Sequence, residues 1–240
     1  MQQTGSFDYA RPPATQRALY AGSNARALEK ARTLPADALI FDLEDAVAPD
    51  AKLLAREQVC EAVHGCGYGG REIVIRVNAL ETPWGAEDLI AACAAEPDAI
   101  LVPKVVYSGD ILSAAKILQS VHVAEKIRLW AMMETPMAIL NARTIAATAV
   151  HAENRLCCLV MGTNDLLKES RARALHDRFA VVPWLAMTIV AARAYRLDII
   201  DGVYNYCKDE IGLREECEQG RTLGMDGKTL IHQSQVGPCN

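Results

Sequence analysis

The chain has 240 residues, 51% of them hydrophobic, with 25 basic against 30 acidic residues and a formal charge of −5. That balance argues against nucleic acid or an anionic membrane as the main partner. No run of about 18 apolar residues is present to span a bilayer.

The opening stretch MQQTGSFDYARPPATQR lacks the apolar centre of a signal peptide. Beyond it, apolar and β-branched runs predict strands at 17–22, 38–45, 72–78, 99–105, 127–134, 155–162, 198–204 and 228–232. Amphipathic stretches between most of them predict helices: NARALEKARTL, APDAKLLAREQVCEAV, PWGAEDLIAACAAE, SGDILSAAKILQSV, PMAILNARTIAATAV and PWLAMTIVAARAYR. Strand–helix alternation repeated about eight times is the pattern of parallel βαβ units. Eight such units in one domain over 1–240 predict a (β/α)8 TIM barrel. A doubly wound sheet is disfavoured because no G-x-G-x-x-G follows the first strand. GCGYGG at 65–70 lies between a helix and a strand and reads as a loop rather than a phosphate cradle. No helical pattern follows the eighth strand before Asn240, so the barrel is expected without its C-terminal segment.

Eight cysteines are scattered, with no C-x-x-C pair, which argues against a zinc or iron–sulfur site. Cys157 and Cys158, inside LCCLVM, read as small core residues. Unpaired thiols in this number fit a reducing, cytoplasmic setting.

Parallel barrels build their active sites at the carboxyl ends of the strands, and polar residues gather there. Strand two delivers Asp42, Glu44 and Asp45, strand three Arg76 and Asn78, strand four Lys104, strand five Glu134, and strand six Asn164 and Asp165. Glu134 stands in the apolar segment IRLWAMMETPMAIL, where an unpartnered carboxylate costs several kcal/mol, roughly. A divalent cation held by Glu134 and Asp165 would relieve both the burial and their repulsion. Oxygen-only donors point to a hard ion, Mg2+. The alternatives are a salt bridge from Glu134 to Arg76 or Lys104, and helix capping by Asp165. Arg76 suits two-point binding of a carboxylate, or pairing with strand two. Lys104 is a candidate for substrate binding or for a structural ion pair. Strand alternation turns at least one strand-two carboxylate outward; Glu44 and Asp45 are expected to face the mouth. Asn24 follows strand one and could bind substrate or cap a helix. His232, at the end of strand eight, is expected to be a buried, hydrogen-bonded histidine.

The segments RALYAGSNARALEKA, ALIFDLEDAVAPDAK, IVIRVNALETPWG, ILVPKV, MMETPMAILNA, VMGTNDL and GMDGKTLIHQSQV appear in this order over nearly the whole chain. In them the chain resembles the citrate lyase β-subunit and malyl-CoA lyase family, part of the HpcH/HpaI aldolase superfamily. The resemblance implies a TIM barrel assembled as a homo-oligomer, a trimer or hexamer, with Mg2+ on Glu134 and Asp165. It implies that Arg76 holds the keto-acid portion of a coenzyme A thioester and that Arg17 lies beside it. Glu44, Arg76 and Arg17 are thereby the catalytic candidates, and Arg76, Arg17, Lys104 and Asn24 the substrate-binding ones. The implied reaction is retro-Claisen cleavage of citramalyl-, malyl- or citryl-CoA to acetyl-CoA and a keto acid. Relatives carry the final proton donor, an aspartate, on a segment beyond the eighth strand, and Tyr206 stands where many have an acid. Malyl-CoA thioester hydrolysis, a CoA-independent pyruvate-type aldolase and a non-catalytic citrate-lyase-like oligomer component are the rival readings.

Overall fold

In the computed structural model the described residues are 16–21, 25–121, 126–173 and 177–239. The eight apolar runs form parallel strands: β1 (Gln16–Ala21), β2 (Ala38–Asp42), β3 (Glu72–Arg76), β4 (Ala99–Val102), β5 (Arg128–Met133), β6 (Leu156–Met161), β7 (Asp198–Asp201) and β8 (Gly227–Leu230). Each pairs with the next, and β1 pairs with β8, so the sheet closes on itself. Parallel neighbours need long crossovers. These are α1 (Ala25–Ala31), α2 (Lys52–His64), α3 (Gly85–Ala95), α4 (Ser108–Ser120), α5 (Pro136–Leu140), α6 (Ala142–Ala147), α7 (Thr163–Glu169), α8 (Val182–Ala194) and α9 (Glu210–Leu223).

Alternation along the strands separates two cores. Leu39, Phe41, Ile75, Ile100, Leu129, Leu159 and Ile199 face the helices, where Val59, Leu89, Ile111 and Leu185 meet them. Ile40, Val74, Leu101, Trp130, Met132, Cys158, Val160 and Ile200 fill the ring. A sheet buried on both faces has no polar side to spare, which is why these strands read as nearly continuous apolar runs. The inward series ends in polar residues: two positions beyond Ile40, Val74 and Met132 stand Asp42, Arg76 and Glu134.

All eight strands lie where the sequence predicts, but β2 to β8 end one to three positions early. At β2 the reason is visible. Asp42 accepts the backbone N–H groups of Glu44 and Ala46 at 2.9 and 3.0 Å, replacing ladder partners with a turn. The helix expected over 136–150 is interrupted at Asn141, whose side chain donates instead to the Val106 carbonyl at 2.9 Å. Helix α9 escaped prediction because its sequence EIGLREECEQGRTL is mostly polar, and little more than Leu213 anchors it. It starts on an Asp209 cap and stops at Gly224, whose φ of 100° favours glycine. GCGYGG is the α2–β3 connection, as expected. After β8 the described chain makes only a short 310 turn, Gln233–Gln235. His232 caps that turn and is exposed; the expectation of a buried histidine fails because the strand ends at Leu230. Among the described residues no helix is long and apolar enough to cross a membrane.

Candidate active site

The polar ends of the inward series open into a cavity of about 450 Å3 at the carboxyl ends of the strands, lined by Asp42, Arg76, Met132, Glu134, Gly162 and Asp165 among others. Two charge clusters form its walls.

The first joins β2 and β3. Arg76 lies opposite Asp42 in register and grips it with two hydrogen bonds of 2.6 Å from Nε and Nη2. Its Nη1 lies 2.7 Å from Glu44 Oε2 and 3.3 Å from Asp45 Oδ2. The Glu44 contact is close but not aligned as a hydrogen bond, so it acts through charge. Burial pushes the Glu44 carboxyl up to about 7 despite the opposing pull of Arg76. Behind this wall, buried Lys52 donates to the carbonyls of Leu43 and Glu44 and to Asn78 Oδ1, at 2.7 to 2.8 Å. Asn78 in turn donates to Asp88, which is fully buried and also held by Arg56. This chain of bonds fixes the loop that carries Glu44 and Asp45.

The second cluster joins the ends of β4, β5 and β6. Glu134 is 2% exposed, and its Oε1 accepts the backbone N–H of Lys104 at 2.7 Å. Lys104 Nζ hydrogen-bonds Asp165 Oδ2 and lies 3.5 Å from the same Glu134 oxygen. Burial raises the Glu134 carboxyl, and the Lys104 ammonium opposes the rise. Gly162 makes room for it: a Cβ there would stand 2.3 Å from Glu134 Cβ and 2.8 Å from Oε2. Gly162 also caps α7, so Asp165 lies inside the helix and is not its cap.

Glu134 and Asp165 thus converge as the sequence predicts, and Arg76 reaches the same cavity. The placement of Glu44 is corrected. It is buried against Arg76 and does not line the cavity, whereas Asp42 and Asp45 do. Lys104 takes its ion-pair alternative. Arg17 lies in β1 in register with Lys228; its side chain and the whole of Asn24 are outside the described residues. Lys52 and Asp88 were missed, since a lysine and an aspartate in amphipathic helices look like solvated surface. Cys158 is buried inside the ring and Cys157 partly so. None of the eight cysteines, all among the described residues, forms a disulfide. Among the described residues no group of three or more His, Cys, Asp or Glu side chains forms a metal cluster. The expected Mg2+ site therefore rests on two carboxylates, both directed at one cationic nitrogen.

The HpcH/HpaI aldolase/citrate lyase family matches residues 18–233. A (3S)-malyl-CoA thioesterase from Cereibacter sphaeroides is 48% identical over 219 residues, 91% of this chain and 73% of that relative. The citrate lyase subunit beta of Escherichia coli is 32% identical over 90% of this chain and 72% of its own. Among solved structures, the citrate lyase beta subunit of Mycobacterium tuberculosis, complexed with oxaloacetate and magnesium, matches with a TM-score of 0.74. It shares 24% identity over 94% of this chain and 95% of that one, a likeness of fold.

Proposed function

The chain belongs to the HpcH/HpaI aldolase/citrate lyase family, and on that premise we propose that it acts on a malyl-CoA-type thioester, hydrolysing it to the free hydroxy acid and coenzyme A. The observation that carries this reading is the 48% identity with a malyl-CoA thioesterase across 91% of the chain. Carbon–carbon cleavage to acetyl-CoA and a keto acid is the second reading, favoured by the 32% identity with a citrate lyase subunit. The wall residues suit both, because both substrates present a hydroxyl and a carboxylate beside the thioester. We read the closed ring as a TIM barrel, which the β1–β8 pairing supports.

The donor set fits a hard divalent ion. Glu134 and Asp165 supply oxygen ligands only, and they already share one positive charge. Mg2+, present with the Mycobacterium relative, is the ion we assign to them. Once bound, it would polarise the substrate oxygen as a Lewis acid. The rest falls to the chain itself. Asp42 locks the guanidinium plane of Arg76 from one edge, leaving Nη1 with Glu44 and the exposed Asp45. A substrate carboxylate can take the place of Asp45, the loosest of the three partners, and receive a charge-assisted hydrogen bond. Glu44 then tempers the positive charge of Arg76 from behind. Arg17, by resemblance, and Asn24, by its place after strand one, stay assigned to substrate binding, in a cytoplasmic homo-oligomer.

The test is product analysis with (3S)-malyl-CoA and citramalyl-CoA in Mg2+, with Glu134→Ala as control. Malate and free coenzyme A, absent with the variant, establish the hydrolase. Acetyl-CoA with glyoxylate or pyruvate establishes the lyase. No turnover of either thioester sinks both readings.

A further inference from the structure

Lys104 is placed strangely for a substrate ligand. It is absent from the cavity lining and instead lies between the two carboxylates assigned to the metal. Its backbone has φ 51°, a left-handed conformation that is strained for a lysine. That turn brings both of its donors to the same place: the N–H to Glu134 Oε1, and Nζ to Asp165 with the same Glu134 oxygen at 3.5 Å. Glu134 is only 2% exposed, whereas the side chains of Lys104 and Asp165 are 32% and 30% exposed. The ammonium therefore has a way out to solvent that Glu134 lacks.

We propose that Lys104 is a built-in stand-in for the metal: its ammonium bridges Glu134 and Asp165 in the metal-free protein and must swing out before a divalent cation can enter. The inference rests on the metal reading of these two carboxylates and adds a role for the lysine between them. One positive charge offsets the repulsion of two carboxylates only in part. A divalent ion offsets it fully and displaces the lysine, whose flexible stem then reaches solvent. Lys104 so acts as a positioning residue that trades metal affinity for an intact empty site.

The experiment titrates Mg2+ into the full chain by calorimetry, for wild type, Lys104→Met and Lys104→Gln. Melting temperatures are measured with chelator and with saturating Mg2+. Removing the competing ammonium is expected to tighten Mg2+ binding about tenfold or more. It should also lower the melting temperature in chelator, and saturating Mg2+ should largely close that gap. Adding Asp165→Asn to Lys104→Met should recover part of the chelator loss, because one repelling charge is gone. Lys104→Gln keeps a hydrogen-bond donor without the charge, and it covers the case in which the Met variant folds poorly. Unchanged or weaker Mg2+ binding in both variants, with wild type binding normally, overturns the stand-in role and leaves the metal reading intact. No Mg2+ binding by any of the three overturns both.

Discussion

Two buried ionic clusters flank the barrel mouth, and they differ in their balance of charge. On the β7–β8 side, Asp201 and Glu216 meet Arg178 and Lys228: Arg178 bonds Asp201 at 2.8 Å, and Lys228 bonds Glu216 at 2.5 Å and Asp201 at 3.2 Å. Two cations answer two carboxylates, and every side chain is at most 11% exposed. On the β2–β3 side, a single cation among the described residues, Arg76, forms ion pairs with Asp42, Glu44 and Asp45. The carboxyls record the difference. Burial pushes Asp201 up, but Lys228 and Arg178 outweigh it and hold the group below the usual carboxylate range. Burial pushes Glu44 up too; Arg76 and, more weakly, Lys104 oppose the rise, but the Glu134 and Asp45 carboxylates add to it, and the group reaches about 7. Cations per carboxylate, not depth, decide the outcome. A balanced, buried cluster is a structural clamp, and an unbalanced one has room for a ligand's charge.

The clamp gives the largest expected effect. Asp201→Asn leaves Arg178 and Lys228 buried with a single carboxylate, and should cost about 3–5 kcal/mol in urea unfolding. Because the folded-state carboxyl is held low, its contribution is present above the ordinary carboxylate range and is lost as pH falls through the folded value. The deficit of the variant should therefore shrink in acid. A loss below about 1 kcal/mol would remove the distinction between the clusters.

Glu44→Gln probes the other side, with the opposite sign. The folded carboxyl binds its proton more tightly than the unfolded one. Wild type is therefore favoured below about 4.5 and loses stability as pH rises toward 7. The glutamine variant does not titrate, so its stability relative to wild type should improve by up to about 3 kcal/mol between pH 4.5 and 8. Unfolding midpoints at the two pH values check this, and a flat difference contradicts it. A smaller effect comes from Gly162→Ala. The added methyl meets Glu134 at 2.3 Å and should cost about 1–3 kcal/mol of overpacking. It should also weaken Mg2+ binding by displacing the carboxylate.

How much of this was legible depends on which period carried the signal. The strands were legible because a sheet covered on both faces must be apolar throughout, and Glu134 stood out against that background. The alternation within β2 would also have chosen Asp42 as the inward residue: it lies two and four positions beyond Ile40 and Ala38, which fill the ring. Reading β2 through to Asp45 hid that choice, and Glu44 took the place instead. The turn at Asp42 depends on bonds from its own side chain, which leave no mark in hydropathy. Lys52 and Asp88 were illegible for a different reason. Each is polar on a helix, and only the closed ring brings β2 and β3 over them. Asp201 was equally hidden, since its partners Arg178 and Lys228 come from two separate segments.

An exposed ion pair tests whether burial is needed for any of these effects. Glu210 and Arg214 form an i,i+4 pair on α9 at 2.8 Å, with side chains 60% and 53% exposed. The shortest distance equals that of the Arg178–Asp201 contact, and the surroundings differ. Water screens this pair and hydrates whichever partner is left alone, so an unpaired charge carries little penalty. Glu210→Gln keeps the contact of Arg214 with the Pro238 carbonyl at 3.2 Å, which limits the change to the ion pair. It should cost about 0.5 kcal/mol or less, and added salt should erase the difference. A cost approaching that of Asp201→Asn would mean that distance alone sets the strength of these pairs. The contrast between the buried clamp and the open mouth would then lose its physical basis.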